Sequence, residues 1–163
     1  MNPMKTARPI LLCALVLSLF AATDPFVGTW KLNTHRSKFP PGAPGFFFAT
    51  MLIESSGTGL KSTASGADGE GIASSFTFSC QFDGTPCNVA SSSHLRSESA
   101  VDTISLKRVD PNTIIAIGAR KGKQIYSDRR VVSADSKTMT VVRDGTTPEG
   151  MKYETTIVLE RLR

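Results

Sequence analysis

Histidine is nearly missing from this chain: His35 and His94 are its two copies in 163 residues, and neither stands beside a nucleophile or a metal partner in the sequence. A zinc site needs three or four converging ligands, so this poverty points away from a metal centre. Also absent are a Gly-x-Ser-x-Gly elbow and a glycine loop that would cradle phosphate. Serines abound, but no base lies near them. Nor does any stretch carry a sustained helical period with caps; the nearest, the polar segment 91–99, reads as a serine-rich loop. The expectation is an all-β chain with no metal, no cofactor and no enzymatic activity.

A concentrated basic face is lacking as well. The chain has 19 Lys and Arg against 14 Asp and Glu, and the surplus shrinks by two once Lys5 and Arg8 are set aside with the leader described next. So mild an excess does not suit a nucleic-acid partner. It leaves a weak attraction to anionic surfaces or acidic ligands.

Long apolar runs are limited to one, at 10–20, preceded by Lys5 and Arg8 and followed by the small residues Ala21, Ala22 and Thr23. Such a run is shorter than the roughly 20 residues that span a bilayer, so residues 1–23 read as a secretory signal rather than an anchor. That leaves one domain, 24–163, in an extracytoplasmic (periplasmic or secreted) setting, with no stable membrane span after cleavage. Cys13 lies inside the apolar run without the small residues that precede a lipid-modified cysteine, and leaves with the signal.

Cysteine is otherwise scarce: Cys80 and Cys87 remain, separated by Gln-Phe-Asp-Gly-Thr-Pro. With Asp83-Gly84 as the turn, the two face each other across a hairpin at a spacing that fits a disulfide. A redox pair usually has two intervening residues, and no histidine lies close enough in sequence to complete a metal site. In an exported chain the structural disulfide is the favoured reading.

What the chain does possess is alternation. In 26–33, FVGTWKLN, Phe26, Trp30 and Leu32 share one face with Gly28, while Val27, Thr29, Lys31 and Asn33 share the other. A glycine inside a strand marks a bend or a close approach, here next to the sole tryptophan. Gly28 and Trp30 are expected to close the floor of a barrel rather than touch a ligand. Segment 34–45, with prolines at 40, 41 and 44, is a long loop, either a lid over an open end or inert surface. Strand-like runs follow at 46–54, 60–65, 72–80, 101–109, 113–120, 124–133, 138–143 and 153–161, nine with the first. They are separated by turn residues at Asp68-Gly69, Asp83-Gly84, Pro111-Asn112, Gly122, Asp135-Ser136 and Asp144-Gly145. A meander of some 8–10 such strands either stacks or closes, and closure removes edges.

Gly28-Thr29-Trp30 at the head of the first strand resembles the glycine-x-tryptophan signature of the lipocalin and wider calycin barrels. The run 27–33, followed by Ser37-Lys38-Phe39, is similar to lipocalin-like secreted proteins of bacteria, and the similarity continues in 101–109, 129–141 and 158–161. It implies a single antiparallel meander β-barrel. The family packs an arginine near the chain end over its floor tryptophan, and Arg161 is the matching position. No separate long C-terminal helix follows, so a simpler barrel than most lipocalins is expected.

Polar residues cluster in the second half: Arg108, Arg120, Arg129, Arg130 and Arg143, with Tyr126 and Asp128. Tyr126, Asp128, Arg130 and Val132 share one face, and Ile125, Ser127, Arg129 and Val131 the other, so one of Arg129 and Arg130 points inward. The inward one is expected to meet a ligand carboxylate, or Glu154 or Glu160 across strands; the competing reading is a solvated outer ladder of alternating charge. Tyr126, Arg129, Arg130 and Arg108 are thus the candidate ligand-binding residues, and the expected ligand is a small apolar or amphipathic molecule held without covalent chemistry. The rival is a filled barrel acting as an extracytoplasmic interaction or envelope-stress protein, with Phe46, Phe47 and Phe48 as the surface a protein partner would use. An enzyme of the barrel type ranks last.

Overall fold

Strands rich in Val, Ile, Thr and aromatic residues, broken by glycine and asparagine turns, give this chain one kind of element. The computed structural model describes residues 23–41, 48–67, 73–91, 101–147 and 149–163. The expected signal up to residue 22, with Cys13, lies outside the described residues, as do Asp68-Gly69, His94, Phe46, Phe47 and the side chain of Phe48.

The strands are β1 (Gly28–Leu32), β2 (Phe48–Ser56), β3 (Gly59–Ala67), β4 (Ala73–Gln81), β5 (Cys87–Ser91), β6 (Thr103–Asp110), β7 (Thr113–Arg120), β8 (Lys123–Val132), β9 (Thr138–Thr146) and β10 (Lys152–Arg161). Each pairs antiparallel with the next, and β10 returns to β1, so the sheet closes into a single meander barrel. Closure leaves no free edge to pair with another chain.

The inward faces of the strands meet in one core. Phe26, Trp30, Ile53, Leu60, Phe78, Cys80, Ile104, Leu106, Ile114, Val132, Met139 and Leu159 are all buried, and most of them lie toward the end of the barrel where β1 starts and β10 finishes. That end is sealed. Trp30 is fully buried and its indole N–H donates to the Phe26 carbonyl at 2.9 Å. The Arg161 guanidinium lies 4.2 Å over the indole ring, a cation–π contact. Its nitrogens also donate to the carbonyls of Ser136 (2.6 Å), Pro25 (2.5 Å) and Val27. Gly28 makes this arrangement possible. Its φ is 142°, which a side chain rarely adopts, and a Cβ there would collide with the Arg161 guanidinium.

A second arginine plugs the same end. Arg108 pairs with Asp24, donates to the Pro111 carbonyl at 2.9 Å, and stacks 4.0 Å over Phe82 and 5.5 Å over Phe26. Asp24 in turn accepts the Phe26 amide at 3.0 Å. The segment leading into β1 is thereby tied under the barrel from two sides.

Two details depart from expectation, and the long loop is placed in part. A tenth strand, β5, pairs with β4 and β6, although its five residues, CNVAS, are too short and polar to register as a strand in the sequence. Asp144-Gly145 is not a turn: β9 runs on to Thr146, because Gly145 pairs with Tyr126 on one side and Tyr153 on the other. The long loop begins as wall. Lys38 exchanges backbone hydrogen bonds with Thr156, at 2.7 and 3.1 Å, so beyond residues 34–36 the chain resumes the β1–β10 ladder, and the rest of the loop, 42–47, lies outside the described residues.

Cys80 and Cys87 face each other across the β4–β5 turn and form the disulfide, with Cα atoms 5.6 Å apart. Replacing both by alanine is expected to lower stability by about 2–3 kcal/mol, from lost constraint on the unfolded chain. Urea unfolding checks this, and an unchanged midpoint contradicts it.

Candidate functional site

Register places four rungs of inward side chains across β7, β8, β9 and β10. Nearest the sealed end come Val132, Met139 and Leu159, then Ile114, Arg130, Val141 and Ile157. Above them lie Ala116, Asp128, Arg143 and Thr155, and then Gly118, Tyr126, Gly145 and Tyr153. An apolar wall thus gives way, halfway up the barrel, to an ionic rung and then to an aromatic one.

The ionic rung is compact. Asp128 is fully buried and accepts from Arg143 twice, Nε to Oδ1 at 2.6 Å and Nη2 to Oδ2 at 2.9 Å, a bidentate pairing. Arg130, one rung lower on the same face of β8, adds its Nη2 to Asp128 Oδ2 at 2.9 Å. Its side chain is only 7% exposed and that of Arg143 13%. The Nε–H of Arg130 is buried with no acceptor among the described residues.

The aromatic rung depends on glycines. The Tyr126 ring lies against Gly118 and the Tyr153 ring against Gly145, each so close that a Cβ on the glycine would collide with it. Glycine inside a strand here marks close approach of a ring to the backbone. Both phenols therefore lean on the wall. The Arg143 guanidinium stacks 3.7 Å over the Tyr126 ring, held between that ring and Asp128.

Electrostatics fix the charge of each member. Burial pushes the Asp128 carboxyl upward, but the charge and hydrogen bonds of Arg143, then those of Arg130, outweigh it and hold the carboxyl below the ordinary aspartate range. For Arg143, desolvation acts against the charge and the Asp128 carboxylate more than offsets it, so the guanidinium stays protonated. Burial raises the Tyr126 phenol, and also that of Tyr153, so both are neutral at ordinary pH. The rungs hold two cations and one anion, a surplus of one positive charge.

The four expected ligand-binding residues separate. Tyr126 and Arg130 come together in the site. Arg129 is exposed on the outer face, which settles the choice between the neighbouring arginines: Arg130 is the inward one. Arg108 lies at the sealed end, engaged with Asp24 and two phenylalanine rings. The partner of the inward arginine is Asp128, on its own strand, not Glu154 or Glu160; Glu160 lies outside and meets Asn33 and Arg36 instead. Arg143, Tyr153, Gly118 and Gly145 complete the site. The signal that finds them is the β8–β9 register, which sets Arg143 directly opposite Asp128. His35 is exposed in the loop after β1.

Compared with known proteins, the chain matches no family model, no curated protein and no solved structure.

Proposed function

We propose that this protein is an extracytoplasmic, lipocalin-like binding protein that holds a small apolar or amphipathic molecule reversibly inside its barrel, without covalent chemistry. The observation that carries this reading is Arg130: a buried, inward guanidinium whose Nε–H has no acceptor among the described residues, beside a rung with surplus positive charge. Buried polar groups in folded proteins are nearly always satisfied, so a cationic orphan of this kind is a donor to which a bound acceptor would be welcome. The rings of Tyr126 and Tyr153, on the side of Arg130 away from the packed core, suit a hydrocarbon body, at roughly 25 cal/mol per Å² buried. The sealed end, with Arg161 and Arg108, leaves the opposite end for entry. The disulfide favours an oxidising compartment.

Native mass spectrometry of the protein purified from its own cells, followed by organic extraction, tests the proposal. A stoichiometric adduct in the lipid or isoprenoid mass range is the expected result. A clean apo mass, together with no saturable uptake of added lipid, contradicts it and favours a filled barrel that works through its surface.

A further inference from the structure

We infer that the ligand carries a head group with a single negative charge, of the carboxylate class, and that Arg130 receives it while Arg143 does not. This rests on the binding reading above, and it follows from how the three charged side chains divide their hydrogen bonds.

Arg143 is committed. It gives two N–H groups to Asp128 in a bidentate fork, and its face is covered by the Tyr126 ring. Asp128 is committed too, since its two oxygens already accept three hydrogen bonds. Asp128 and Arg143 therefore form a neutral unit that is complete without Arg130.

Arg130 is the surplus member. It shares one nitrogen with an oxygen that Arg143 already occupies, and its Nε–H has no acceptor among the described residues. Its rung neighbours Ile114, Val141 and Ile157 are apolar and offer no counter-charge. The Tyr126 and Tyr153 phenols, higher in the barrel, stay protonated and supply none. A guanidinium cannot shed its proton to escape burial, and an uncompensated buried charge is costly to a fold. One added anion of unit charge would balance the rung and give Nε–H its acceptor. A dianion would overshoot, and a cation would be repelled.

The position suits an amphiphile. Val132, Met139 and Leu159, toward the sealed end, are already packed in the core, so the body would extend the other way, against the faces of Tyr126 and Tyr153.

The test is calorimetric titration of the mature protein with dodecanoate, dodecanol and dodecylammonium, below their aggregation concentrations, repeated on Arg130→Met and Arg129→Met. For the unmodified protein, dodecanoate should bind about ten- to a hundredfold more tightly than dodecanol, the range expected for one charge-assisted hydrogen bond, with dodecylammonium weakest. Arg130→Met should remove the preference and leave the melting temperature of the empty protein unchanged or higher, because the Asp128–Arg143 unit stays neutral. Arg129→Met should keep the preference.

Equal binding of acid and alcohol by the unmodified protein overturns the inference and leaves the binding reading standing. Binding of none of the three, with no adduct in the native protein, overturns both. A preference that survives Arg130→Met overturns the assignment to Arg130, and a lower melting temperature for that variant assigns the residue to structure instead. The unmodified protein decides the head-group question even if the variant does not fold.

Discussion

Asp128→Asn is expected to destabilise the protein by about 3–5 kcal/mol, the effect of removing one partner from a buried ionic cluster. The carboxylate is the sole anion of its rung and the acceptor for both guanidiniums. An asparagine in its place keeps the volume, loses the charge, and leaves Arg130 and Arg143 facing each other across a neutral amide. Urea unfolding at neutral pH measures the effect, with Asp135→Asn, an exposed turn residue whose carboxylate meets only its own turn, as a comparison expected to lose much less. The same carboxyl gives a pH dependence with a definite sign. Its folded-state pKa is depressed, so its contribution is fully present above the unfolded value of about 3.9 and is lost as pH falls through the folded value. The unmodified protein should lose stability in acid, and Asp128→Asn should show a shallower acid limb. Some acid slope will remain, because hydrogen bonds within their turns also lower Asp83, Asp110 and Asp135.

Trp30→Ala should cost a similar amount, about 3–5 kcal/mol, by opening a cavity at the sealed end. The indole is fully buried, is bonded to the Phe26 carbonyl, and is the surface on which Arg161 lies. Arg161→Met is expected to cost less than Trp30→Ala, since it forfeits the cation–π contact and the capping of three carbonyls but leaves the ring packed. The two substitutions touch the same contact, so their effects should not add, and the double variant should lose less than the sum. Thermal unfolding of the two single variants and the double variant checks this. Strict additivity would contradict a shared floor.

How much of this was legible in the sequence follows from what alternation can and cannot decide. Along 26–33, which contains β1, one face holds Phe26, Trp30 and Leu32 and the other holds Lys31 and Asn33, so alternation alone makes the inward side plain. On β8 both faces mix apolar and charged residues: Tyr126, Asp128, Arg130 and Val132 against Ile125, Ser127, Arg129 and Val131. Hydropathy alone even favours the second set as the interior. The barrel buries the charged set because Arg143, supplied by the next strand, neutralises Asp128, and that pairing depends on a register the sequence does not display. Gly145 misled for a related reason. Asp-Gly is a strong turn signal, but here the glycine makes room for the Tyr153 ring, a contact with a residue eight positions later in a neighbouring strand. β5 was hidden because its polar run becomes a strand through its neighbours and the Cys80–Cys87 link rather than through its own propensity.

Whether the orphan donor of Arg130 is a ligand site can be read at that atom. Arginine side-chain Nε–Hε groups buried from water exchange slowly enough to be followed by NMR, and Arg130 provides such a proton at the centre of the proposed site. A correlation spectrum recorded before and after addition of dodecanoate should show the Arg130 Hε resonance, assigned by its loss in Arg130→Met, moving as a new acceptor arrives, while the Arg161 resonance at the sealed end stays in place. An Arg130 resonance that does not move at saturating dodecanoate would contradict the account.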